Sequence, residues 1–153
     1  TEFLEKVRTT IYRQTMFAEF EKIMHEKEEQ GIPLTEEEFS KTYYELNQLY
    51  YGNSVVSDDL IRYEWARIPH FYTSFYVYKY ATGLACAIKI SNDILNHKDG
   101  ALENYLEFLS SGGSDYPLAI LKKTGIDITS GEAIEDALAV FKEKVEELKE
   151  LYS

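Results

Sequence analysis

The chain has 153 residues, with 16 Lys and Arg against 27 Asp and Glu and a formal net charge of −11. That balance excludes a nucleic acid or an anionic membrane as the default partner, because few cations are available to displace counterions from a phosphate surface. At 44% hydrophobic and 14% aromatic the composition suits one globular core, and the single Cys86 excludes a disulfide framework and a thiolate metal cluster, with a reducing, cytoplasmic setting as the matching expectation.

From Glu2 to Gln30 there is no Gly or Pro, and Phe3, Val7, Ile11, Phe17, Phe20 and Met24 recur at mostly helical spacing. A long first helix is predicted, stopped by Gly31 and Pro33. It opens at Thr1-Glu2-Phe3 without an initiator Met, already inside the helical pattern, which reads as a piece of a longer polypeptide. Thr35 stands three residues before Glu38 as a capping box, and Phe39, Tyr43, Leu46 and Tyr50 follow at helical spacing up to Gly52, giving a second helix. Ser57-Asp58-Asp59 caps a further helical stretch through Leu60 and Trp65, interrupted at Pro69.

No Pro occurs between His70 and His97, so one helix is predicted over that stretch. Phe75, Tyr78, Thr82, Ala85 and Ile88 form one stripe on it, and Tyr72, Tyr76, Tyr80, Gly83, Ala87, Ile90 and Ile94 form another. A helix apolar or aromatic nearly all round is buried all round, which makes the segment near 70–98 a central helix. Lys79 and Lys89, with many Tyr, Ser, Thr and Gly, set it apart from a transmembrane span. After Asp99-Gly100 a short helix carries Leu102, Tyr105, Leu106 and Leu109 to Ser110. Ser114-Asp115-Tyr116-Pro117 then reads as a cap with Pro in the first turn of a helix ending at Gly125. Thr129 and Glu132 read as the capping box of a last amphipathic helix with Ile134, Leu138, Phe141, Val145 and Leu148 on its apolar face. No strand alternation of useful length appears, so the fold class is all-α, a helical bundle.

Three histidines are candidates for chemistry. His25-Glu26-Lys27-Glu28-Glu29 fails the H-E-x-x-H zinc pattern, since Glu29 stands where the second imidazole belongs, and the segment reads as a solvated helix face. His97, beside Lys98, reads as a cation favoured at a helix end. His70 opens the run His70-Phe71-Tyr72-Thr73-Ser74-Phe75-Tyr76-Val77-Tyr78-Lys79-Tyr80. On a helix, Tyr72, Tyr76 and Tyr80 share one face with His70 a turn before. Such a row of phenols with an imidazole could bind a peptide carbonyl or stabilise an oxyanion; the plainer alternative is tyrosines packed in the core and bonded to nearby backbone.

Four motifs in the same order, covering nearly the whole chain, resemble the C-terminal part of oligoendopeptidase F. They are Tyr12 to Glu21, Ile68 to Tyr72, Phe75 to Gly83, and Phe108 to Pro117. That family consists of zinc metallopeptidases related to thimet oligopeptidase. The resemblance implies that residues 1–153 are a single all-α C-terminal segment of a larger metallopeptidase catalytic domain, one wall of a channel in which short peptides are cut. It implies zinc in the full-length enzyme, with its ligands and the general base upstream, and no metal ligand within this chain. It also implies that Tyr76 and Tyr80 act in catalysis at the oxyanion and that His70 binds substrate. In the thimet oligopeptidase branch a further Tyr falls where Gly83 stands, so Gly83 marks a substrate-binding position and Tyr72 or Tyr78 could share the phenol role. The implied partners are short peptides and the upstream part of the same polypeptide. Arg13, Gln14, Glu19 and Glu21 form a polar cluster to which a structural role is assigned. A non-catalytic helical module, binding a partner through the aromatic helix, is the alternative from another class.

Overall fold

The computed structural model describes residues 1–152, and among these there are helices and turns but no β-strand. The all-α expectation holds. The helices are α1 (Glu2–Val7), α2 (Arg13–Glu29), α3 (Glu36–Tyr51), α4 (Tyr78–Leu95), α5 (Ala101–Ser110), α6 (Pro117–Lys122) and α7 (Glu132–Leu151). Shorter 3-10 turns cover Asp59–Arg67, Pro69–Tyr72 and Ile128–Ser130, and one π-helical turn, Arg8–Tyr12, links α1 to α2. The chain divides into two compact units, one formed by Arg8–Ala81 and the other by Thr1–Val7 with the chain from Thr82 onward.

In the Arg8–Ala81 unit, α2 packs on α3 through a core of Met16, Phe17, Phe20, Met24, Tyr43, Leu46, Ile68 and Val77. The ring of Phe20 meets Tyr43 edge-on at 5.3 Å, and Phe71 reaches the same cluster at 5.5 Å from Phe17 and 5.2 Å from Phe20. Phe71 thereby anchors the Pro69–Tyr72 turn, and with it His70, on the core. Thr35 caps α3, its hydroxyl accepting the Glu38 N–H at 3.3 Å, while the Glu38 carboxylate pairs with Lys27 instead of closing the predicted box, and Gly52 ends the helix at φ +67°, a conformation that favours glycine. Asp58 caps the Asp59–Arg67 turn by accepting the Leu60 N–H at 2.7 Å.

In the other unit, Cys86 on α4, Ile126 and Ala133 on α7 form a core with Ile90, Leu121 and Ile128 against it. Lys89 of α4 is 5% exposed and is held by Asp136 at 2.5 Å, Glu132 at 3.1 Å and Asp93 at 3.7 Å. Its hydrogen bond to Asp136 leads the effects that raise the ammonium above its ordinary value, so it is a buried lysine that keeps its charge. α1 packs against α7.

Several expectations are corrected. The predicted helix over 70–98 begins only at Tyr78; His70 lies in the 3-10 turn before it, and residues 73–77 are not helical. Nor is α4 buried all round, since Tyr78, Tyr80, Gly83 and Ala87 are exposed while Ala81, Ala85 and Ile88 are buried. The Thr129–Glu132 box does not form: the Asp127 carboxylate takes both the Thr129 hydroxyl at 2.6 Å and its N–H at 3.0 Å, and α7 starts instead after Gly131 at φ +80°. Likewise α6 has no side-chain cap, because Asp115 accepts the N–H of Tyr116 next to it and Pro117 opens the helix.

Candidate functional site

The turn at Pro69–Tyr72 and the first turn of α4 bring His70, Tyr76 and Tyr80 together. The imidazole stacks on the Tyr76 ring at 5.7 Å and meets Tyr80 edge-on at 5.5 Å, while the two phenol rings lie 5.5 Å apart at 65°. The Tyr80 hydroxyl donates to the Tyr76 oxygen at 3.0 Å. In that arrangement Tyr76 keeps its own O–H to donate elsewhere, and the hydrogen bond to Tyr76 holds the Tyr80 phenol above its ordinary value. The Lys79 ammonium lies 3.7 Å from the centre of the Tyr76 ring, a cation–π contact that sequence reading did not assign. Its only signal in the sequence is a spacing of three residues from Tyr76.

Of the remaining predicted site residues, Tyr72 lies outside this contact set. Tyr72 is 81% exposed, with its hydroxyl 3.5 Å from the Ala66 carbonyl, because the backbone that would have placed it a helical turn from Tyr76 is not helical. Tyr78 is half-exposed on the first turn of α4. Gly83 belongs to the other unit and is exposed, and a Cβ built on it would meet nothing within 4 Å.

The polar cluster of α2 fans out to hold this half of the chain together. Arg13 pairs with Glu64 at 2.7 Å, Glu19 accepts the Tyr50 hydroxyl at 2.7 Å, and Gln14 donates to the Thr9 carbonyl at 3.4 Å. Glu21 accepts the backbone N–H of Phe75 at 2.7 Å. His25 is no solvated helix-face residue, since its ring stacks on that of Phe75 at 4.6 Å.

Among the described residues, no three His, Cys, Asp or Glu side chains come together in a group able to hold a metal ion. The residues present do not fit a zinc site, and what this chain can do chemically lies with its phenols, its imidazole and the lysine beside them. No helix among the described residues is long and apolar enough to cross a membrane.

Comparison with known proteins gives the family and the fold. Residues 1–140 match the profile of peptidase family M3, and the chain belongs to that family. It is 49% identical over 148 residues to oligopeptidase PepF of Bacillus subtilis, covering 97% of this chain and 22% of that protein. With an oligoendopeptidase F homolog of Borreliella burgdorferi it shares 45% identity over 149 residues, 97% of this chain and 25% of the relative. The crystal structure of oligoendopeptidase-F from Enterococcus faecium superposes with a TM-score of 0.96 at 47% identity, over 99% of this chain and 29% of that one. The chain thus spans about a quarter of the length of the curated relatives it matches.

Proposed function

We propose that these residues are the C-terminal segment of a zinc-dependent oligoendopeptidase that cuts short peptides, and that they supply the donors binding the scissile carbonyl. The observation that carries this reading is the Tyr80-to-Tyr76 hydrogen bond at 3.0 Å beside His70, in a chain of peptidase family M3. Tyr76 donates its O–H to the carbonyl oxygen, and the bond strengthens as that oxygen gains charge in the transition state. Tyr80, donating to the Tyr76 oxygen, polarises that O–H, and the Lys79 charge over the ring favours the same shift of electron density. His70 holds the Tyr76 ring face and adds a second possible donor to the substrate. Tyr72 and Tyr78 are proposed as outer contacts for the peptide, and Gly83 as a separate contact in its own unit, where the missing side chain leaves backbone accessible. The metal and its ligands belong to the upstream part of the same polypeptide in this reading. A cytoplasmic location is part of it as well, resting on the single, buried Cys86.

The test is kinetic, on the full-length polypeptide that carries this chain. Tyr76→Phe is expected to lower kcat about 100-fold with little change in KM, as loss of one oxyanion donor does, and Tyr80→Phe to lower it less. Unchanged kcat in both variants would sink the assignment.

A further inference from the structure

Phe75 is one of two non-glycine residues with positive φ among the described residues, at +55°. An aromatic side chain rarely adopts the left-handed region, so something outside the local sequence must hold it there. The segment 73–77 runs from the 3-10 turn of His70 to the start of α4, and Tyr76 follows Phe75 directly. Two side chains of α2, one helical turn apart, meet Phe75: Glu21 accepts its N–H at 2.7 Å, and His25 stacks on its ring at 4.6 Å. Glu21 is 6% exposed and lies 54 residues away in sequence, so its carboxylate sits under the turn and not in solvent. A carboxyl oxygen buried to that degree needs a hydrogen-bond partner, and the Phe75 amide supplies one.

We propose that Glu21 is a positioning residue for the phenol cluster: its buried carboxylate fixes the left-handed turn at Phe75 and thereby delivers Tyr76 to His70 and Tyr80. The consequence for catalysis rests on the reading of Tyr76 as the carbonyl-binding phenol. His25 braces the same turn from its other side by covering the Phe75 ring.

The experiment uses the full-length polypeptide, with Glu21→Leu to fill the space without an acceptor and Glu21→Gln to keep an acceptor oxygen. Each is made alone and combined with Tyr76→Phe. Turnover of an internally quenched short peptide and hydrogen–deuterium exchange of the segment 73–77 are both measured, and Glu21→Ala replaces Glu21→Leu if the latter does not fold. Glu21→Leu is expected to lower kcat by about tenfold with KM within about twofold, and Glu21→Gln to restore most of it. On the Tyr76→Phe background the same change is expected to cost little more, because its effect passes through Tyr76. Exchange at 73–77 is expected to quicken in Glu21→Leu and to stay slow in Glu21→Gln. Unchanged exchange in Glu21→Leu overturns the proposal, as does an equal kcat loss with and without the Tyr76 hydroxyl. If Tyr76→Phe itself leaves kcat intact, the carbonyl-binding reading has failed, and the exchange data alone then decide whether Glu21 holds the turn.

Discussion

Glu64 is 7% exposed and has both carboxylate oxygens engaged: one takes Arg13 at 2.7 Å and also Arg67, the other takes the Tyr43 hydroxyl at 2.6 Å. Burial by itself pushes this carboxyl upward, but the Tyr43 and Arg13 hydrogen bonds with the nearby guanidinium charges outweigh it and hold the group below its ordinary value. The same site raises the Tyr43 phenol, first through burial and then through its bond to Glu64. A carboxyl whose value is lowered by folding stabilises the fold fully above its ordinary pKa of 4.5, and that contribution is lost as pH falls through the folded value. Glu64→Ala strands Arg13 and Tyr43 in a half-buried place, and the expected cost is about 3–5 kcal/mol in urea denaturation at neutral pH. The gap between parent and variant should narrow as pH falls below 4.5 and through the lowered value of the folded carboxyl, where the parent takes up its proton. A gap that stays constant with pH would show that the lost stability is packing and not the ionised network.

At the scale of the element, α3 and α4 differ in what fixes their ends. α3 begins at a cap written in four consecutive residues, Thr35 to Glu38, and three glutamates, Glu36, Glu37 and Glu38, sit at the positive end of its dipole. Thr35→Ala is expected to cost about 1 kcal/mol, read as a lower urea midpoint with an unchanged slope; a changed slope would point to a different unfolded state instead. Because that cap is local, the spacing of Thr35, Glu38 and Gly52 was enough to bound the helix. The start of α4 is set by contacts from far along the chain. Nothing between His70 and Val77 breaks a helix on paper, since no Pro or Gly occurs there, and the break at 73–77 comes with the Glu21 bond to Phe75 from α2. Periodicity therefore grouped His70, Tyr76 and Tyr80 but misplaced Tyr72, whose membership depended on a helix that does not extend so far. The contacts of Lys79 and His25, and the Phe75 partner of Glu21, escaped for the same reason, as they are relations across space that a one-dimensional pattern does not carry.

At the scale of the whole molecule, the three histidines occupy three different settings. His25 covers Phe75, His70 joins the phenols, and His97 follows α4 in a left-handed conformation at φ +54°. None of them lies in a metal-holding group of the described residues, and His70 meets the phenols Tyr76 and Tyr80 through ring contacts. A cluster of donors can bind and polarise a carbonyl, but hydrolysis also needs a nucleophile that is made elsewhere. On the proposed reading, the 153-residue chain alone is therefore expected to show no turnover of a short peptide, with zinc added or stripped away. Circular dichroism on the same sample checks that the helices are formed, so that silence is not mistaken for unfolding. Zinc-dependent turnover by the folded chain, abolished by a chelator, would mean that these residues assemble a metal site of their own, and the division of labour with an upstream segment would have to be abandoned.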